Sequence, residues 1–103
     1  MDKDLAAVPC FLDRLRKRYQ ISEAHLFGSR ATGTALRHSD LDLLLVSPDF
    51  QGMFFTTRMA AVLREWSGTT DLEALCYTPE EFGRKRAQIG IVREATTKGI
   101  RVA

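Results

Sequence analysis

The residues of this chain best suited to chemistry are a glycine-serine pair, Gly28-Ser29, followed after ten residues by Asp40-x-Asp42. If Asp40 and Asp42 lie on a strand, alternation sends both side chains to one side and the intervening Leu41 to the other. At a separation of about 5 Å and an effective dielectric near 20, two such carboxylates repel by about 3 kcal/mol, which calls for a compensating cation. Oxygen ligands with no imidazole or thiolate beside them suit a hard ion, magnesium or manganese, that keeps its waters and shares phosphate oxygens with a substrate. The glycine allows a sharp turn and close backbone approach to an anion. Ser29, opening a helix, would offer hydroxyl and N–H donors, and Arg30 a bidentate phosphate contact.

Asp71 offers a third carboxylate at the start of the next apolar run. Glu73 shares its face, so periodicity alone does not choose between them, and Asp71 is preferred. Three carboxylates can hold two metal ions, one activating an attacking hydroxyl and one neutralising a leaving pyrophosphate.

The elements that would position these groups follow from the apolar pattern. Val8, Leu12, Leu15 and Tyr19 recur at helical spacing, with Pro9 expected near the first turn. Residues 24–27 predict a short strand ending at Gly28, and the run Leu41 to Val46 a central strand apolar on both faces. Phe55, Met59, Val62 and Trp66 form a second helical stripe, an arrangement of core rather than of a cofactor site. Residues 71–77 predict a third strand. Thr78-Pro79-Glu80-Glu81 then starts a helix, with Thr as cap, Pro in the first turn and Glu81 closing a capping box, although Gly83 weakens it. A last helix over 91–98 ending at Gly99 and an edge strand at 100–102 complete the reading.

The segment from Leu26 through Gly33, taken with Ser39-Asp40-Leu41-Asp42-Leu43, resembles the minimal nucleotidyltransferases of the DNA polymerase β superfamily, whose signature is G-S-x10-D-x-D. The resemblance extends loosely through Asp71-Leu72-Glu73. It implies an α+β fold, a small mixed β-sheet with helices packed on one face. It also implies transfer of a nucleoside monophosphate, with ATP the expected donor, to an acceptor hydroxyl with release of pyrophosphate. By position, Gly28 and Ser29 would bind phosphates, Asp40 and Asp42 would ligate metal, and Asp71 would ligate metal and help deprotonate the acceptor. Small members of that family are often encoded beside a helical HEPN ribonuclease toxin, which they neutralise by binding or by attaching AMP to a tyrosine. The chain is similar to that antitoxin half, so a HEPN-type partner is expected. A binder without turnover is the alternative, and an RNA-contacting scaffold a third reading.

Composition sets the bounds. The chain has 103 residues, 45% hydrophobic and 27% charged, with a formal charge of +2, which predicts a single domain over 1–103 that would borrow any acceptor-recognition surface from a partner. The charge is too small to argue for nucleic acid, although basic residues cluster at Arg14, Arg16, Lys17, Arg18 and at Arg84, Lys85, Arg86. No apolar run is long enough to cross a bilayer and no signal-peptide pattern opens the chain, so a cytoplasmic location is expected. Cys10 and Cys76 are expected as reduced thiols in or near the core. Arg18 and His25 match a loose HEPN nuclease pattern by chance, since His25 falls in a strand, and His38 is expected to face solvent.

Overall fold

The computed structural model describes residues 3–27, 41–68, 71–88, 90, 92–93 and 99–103. Its elements are α1 (Lys3–Arg16), β1 (Glu23–Phe27), β2 (Leu41–Val46), a 3-10 turn (Pro48–Phe50), α2 (Phe55–Leu63), β3 (Leu72–Tyr77), α3 (Pro79–Lys85) and β4 (Ile100–Arg101). The strands form one mixed sheet in the order β3-β2-β1-β4. β1 runs antiparallel to both β2 and β4, whereas β2 and β3 are parallel, joined by a crossover that contains α2.

Alternation along the strands divides the apolar residues between two faces. Leu41, Leu43 and Leu45 of β2, with Ala24, Leu26, Leu72, Ala74 and Cys76, face α1 and α2 and form the larger core with Val8, Phe11, Leu12, Leu15, Phe50 and Val62. The two longer helices thus cover one face, as the resemblance implies. On the other face Leu44, Val46, Phe27 and Tyr77 gather under Phe82 of α3 and Val92. β2 is the element common to both clusters, which explains why its sequence is apolar at successive positions.

α1 differs from expectation in two respects. It begins at Lys3, so Pro9 sits in its interior rather than its first turn. The lost amide and ring crowding cost about 3 kcal/mol in an isolated helix. Here the burial of Val8, Phe11, Leu12 and Leu15 against the sheet offsets that cost. The helix also stops at Arg16, before Tyr19, which instead turns back to pack its ring 5.5 Å from that of Phe50. Cys10 is exposed on the outer side of α1, contrary to the core position expected for it, whereas Cys76 is fully buried and its thiol pKa is pushed up to about 12 by desolvation.

Short-range chemistry fixes the junctions. Ser47 caps the 3-10 turn by accepting from the Asp49 amide at 3.1 Å. Asp49 in turn accepts from the Gln20 amide at 2.7 Å, tying the approach to β1 to the exit of β2. Thr78 and Glu81 form the expected capping box of α3. Glu81 also receives Arg58 of α2, with Nη1 at 2.6 Å and Nη2 at 3.3 Å, while the same guanidinium donates to the carbonyls of Met53 and Cys76. One buried arginine therefore joins α2, the end of β3 and the start of α3. The predicted helix over 91–98 lies largely outside the described residues, with Val92 and Arg93 helical, and β4 is the predicted edge strand in shortened form. Among the described residues no helix is long and apolar enough to cross a membrane.

Candidate active site

Asp42 is the second residue of β2 and lies half-buried between two neighbours, Phe27 at the end of β1 and Glu73 in β3. By alternation it shares a face with Leu44 and Val46, the side opposite α1 and α2. The backbone here is held on both sides, since β2 is hydrogen-bonded to both β1 and β3 and the Leu41 amide donates to the Asp71 carbonyl at 3.0 Å. The most strongly buried strand of the sheet thus carries this carboxylate at its entry.

The parallel register sets Asp42 directly beside Glu73, with Asp71 two residues earlier on the same face. Asp71 itself precedes β3 rather than beginning it, and both Asp71 and Glu73 are exposed. Neighbouring strands lie about 4.8 Å apart, so the Asp42 and Glu73 carboxylates share a small volume at this end of the sheet. Asp71 occupies the rung beyond Leu41–Leu72, just before β3 begins.

Gly28 follows Phe27 directly, and Asp40 precedes Leu41. The connection carrying Gly28, Ser29, Arg30 and Asp40 therefore leaves and re-enters the sheet at the Asp42 end, between adjacent antiparallel strands. These four residues, like His38, lie outside the described residues. Among the described residues no group of three or more His, Cys, Asp or Glu side chains is gathered to hold a metal ion. The carboxylates that are described, Asp42, Asp71 and Glu73, are hard oxygen donors on one face, a donor set that fits magnesium or manganese rather than zinc.

The neighbouring histidine does not belong to this chemistry. His25 lies two residues before Phe27 but is buried, stacks on Phe82 at 5.9 Å and shares a 3.1 Å hydrogen bond with Glu23. Those contacts make it part of the minor core. The residue that pattern reading missed is Arg58, which interrupts the apolar stripe of α2 and is buried there. Its place between Phe55 and Val62 was the available signal, because an arginine on a core-facing stripe requires a buried acceptor. That acceptor, Glu81, has its carboxyl lowered from 4.5 to about 2, first by the hydrogen bond from Arg58, with the Thr78 amide adding to it against the opposing effect of burial.

Comparison with known proteins agrees with this architecture. A crystal structure of a proposed nucleotidyltransferase from Sulfolobus solfataricus superimposes with a TM-score of 0.69, covering 96% of this chain and 78% of that one at 22% sequence identity, and so shares the fold. No curated protein matches the chain. The family model for the nucleotidyltransferase domain matches residues 9–96, a span that runs from α1 past α3 and includes every carboxylate of the candidate site, and the chain belongs to that family.

Proposed function

We propose that the protein moves AMP from ATP to an acceptor hydroxyl, a tyrosine of a helical HEPN-type toxin partner, and releases pyrophosphate. The observation that carries this reading is the placement of Asp42. It sits on the central strand, beside Glu73 and close to Asp71, at the sheet end from which the Gly28-Ser29 to Asp40 connection departs.

Asp40 and Asp42 would hold the divalent ion, with Asp71 completing the set and Glu73 within the same face. Magnesium bound there would supply positive charge to the triphosphate and lower the pKa of the acceptor hydroxyl. The chain's own groups do the rest. Gly28 and Ser29 would hold the phosphates through backbone and hydroxyl donors, and Arg30 would pair with a phosphate oxygen. Asp71 would take the acceptor proton as the acceptor oxygen bonds to the α-phosphorus and the bond from that phosphorus to pyrophosphate breaks in line. The main contribution of the fold would be positioning, since the strand that bears Asp42 and the strand that Asp71 directly precedes are adjacent and in fixed register.

The test is intact-mass measurement of the protein and its presumed HEPN partner after incubation with ATP and magnesium, repeated with Asp42→Asn. A mass gain of one or more AMP units on the partner, lost with Asp42→Asn, is the expected result. A tight stoichiometric complex without any gain in mass would replace transfer with neutralisation by binding alone.

A further inference from the structure

The end of the sheet remote from Asp42 carries a second feature that the transfer chemistry does not use. Tyr77 closes β3 four residues beyond Glu73, about 13 Å along the strand at ordinary β rise. Phe55 leans on it with ring centroids 5.5 Å apart, and Phe54 projects beside them with 83% of its surface exposed. With Met53 these aromatics line a cavity of about 360 Å³ whose rim is Arg84 and Lys85 of α3.

Phe54 breaks two local rules at once. It occupies the N-cap of α2, where a serine, threonine or aspartate would accept an orphan amide, and it makes no side-chain cap. It also leaves a large apolar side chain in water without packing it on the core. Such a departure, with no gain inside the fold, is what an interaction anchor looks like.

We infer that this groove docks a short acidic segment of a protein partner, one that carries an aliphatic or aromatic anchor to fill the cavity beside Phe54, Phe55 and Tyr77. Charge selects the occupant. Arg58 is matched by Glu81 and Arg84 by Glu80, whereas Lys85 has no ionic partner among the described residues, so the rim is net positive. Two copies meeting face to face would set these like charges against each other. A nucleic acid strand would need successive aromatic faces for its bases, but Phe55 is tilted onto Tyr77 at 51°. An acidic peptide meets neither objection, because its carboxylates reach Lys85 and Arg84 while its anchor enters the cavity. The surface stands apart from whichever acceptor the transfer site uses.

The experiment is selection from a random short-peptide display library on the immobilised full chain, followed by anisotropy titration of the synthesised consensus peptide. The expected consensus is rich in Asp and Glu around one Leu, Ile or Phe. Phe54→Ser should weaken it by about thirtyfold, the usual cost of truncating an aromatic anchor, with the thermal transition unchanged or raised, because serine can cap α2. Arg84→Glu with Lys85→Glu should abolish the acidic preference, and rising salt should weaken wild-type binding. No consensus, a basic consensus, or a consensus bound equally by Phe54→Ser would overturn the inference. So would binding of a labelled oligothymidine that Phe54→Ser removes, or a sedimentation dimer that the same substitution dissociates.

Discussion

Replacing Glu81 by Gln isolates the charge of the Arg58–Glu81 pair with almost no change in shape. Glu81 accepts both Nη atoms of Arg58 and the Thr78 amide, and its side chain is 31% exposed against 7% for Arg58. Its carboxyl is lowered from 4.5 to about 2. At about 1.4 kcal/mol per pH unit the depression corresponds to roughly 3 kcal/mol, and partial solvent screening reduces this to about 2 kcal/mol. Because the folded value lies below the unfolded one, this stability is fully present above pH 4.5 and is lost as pH falls toward 2. Glu81→Gln should therefore cost about 2 kcal/mol at neutral pH, chiefly by leaving the Arg58 cation buried without a counter-charge. Urea unfolding followed by far-UV circular dichroism at pH 7 and at pH 3 measures it, with a slope of about 1.2 kcal/mol per molar giving a midpoint lower by about 1.7 M at neutral pH. The gap between variant and wild type should narrow at pH 3. Equal midpoints at pH 7, or a gap that does not change with pH, would refute the reasoning.

Other outcomes follow from the same geometry. Thr78→Ala removes one half of the capping box and should lower stability by about 1 kcal/mol in the same denaturation assay. Gly83→Ala should raise stability by about 0.5–1 kcal/mol, since a methyl group there meets no atom within 4 Å and the helix gains propensity. In the AMP-transfer assay, Asp71→Asn should reduce kcat by about a hundredfold or more, while Glu73→Gln should cost less than tenfold, as expected if Asp71 rather than Glu73 receives the acceptor proton. The reverse order would assign that role to Glu73. Magnesium and ATP together should raise the thermal transition by more than the sum of each alone, on the scale of about 2.7 kcal/mol at a hundredfold excess over Kd. An additive response would place the two ligands at separate sites.

The parts of the fold legible in the sequence are those whose cause is local. Thr78-Pro79-Glu80-Glu81 announces the start of α3 because a capping box is closed within one turn, and Leu43-Leu44-Leu45-Val46 announces a central strand because both of its faces must be apolar. Pro9 misled because tertiary burial of Phe11 and Leu15 overrides a propensity argument made on α1 alone. Arg58 was hidden because its acceptors, Glu81 and the Met53 and Cys76 carbonyls, come together only once α2 packs against β3. The site follows the same division. Period-two alternation places Asp71 and Glu73 on one face, but only the parallel register shows that Glu73 is the residue beside Asp42 while Asp71 sits two rungs away, beyond the Leu41–Leu72 pair.

The central position of β2 bears on how activity is lost under stress. Its backbone is paired on both edges and its leucines are sealed in both clusters, so its amide protons should be among the slowest to exchange, opening with the domain as a whole. Asp42 is therefore released by global unfolding and not by local fraying. Inactivation on mild heating that runs ahead of the unfolding transition must arise from the parts of the site outside this strand. Inactivation that overlays the transition would mean that the strand bearing Asp42 fails with everything else.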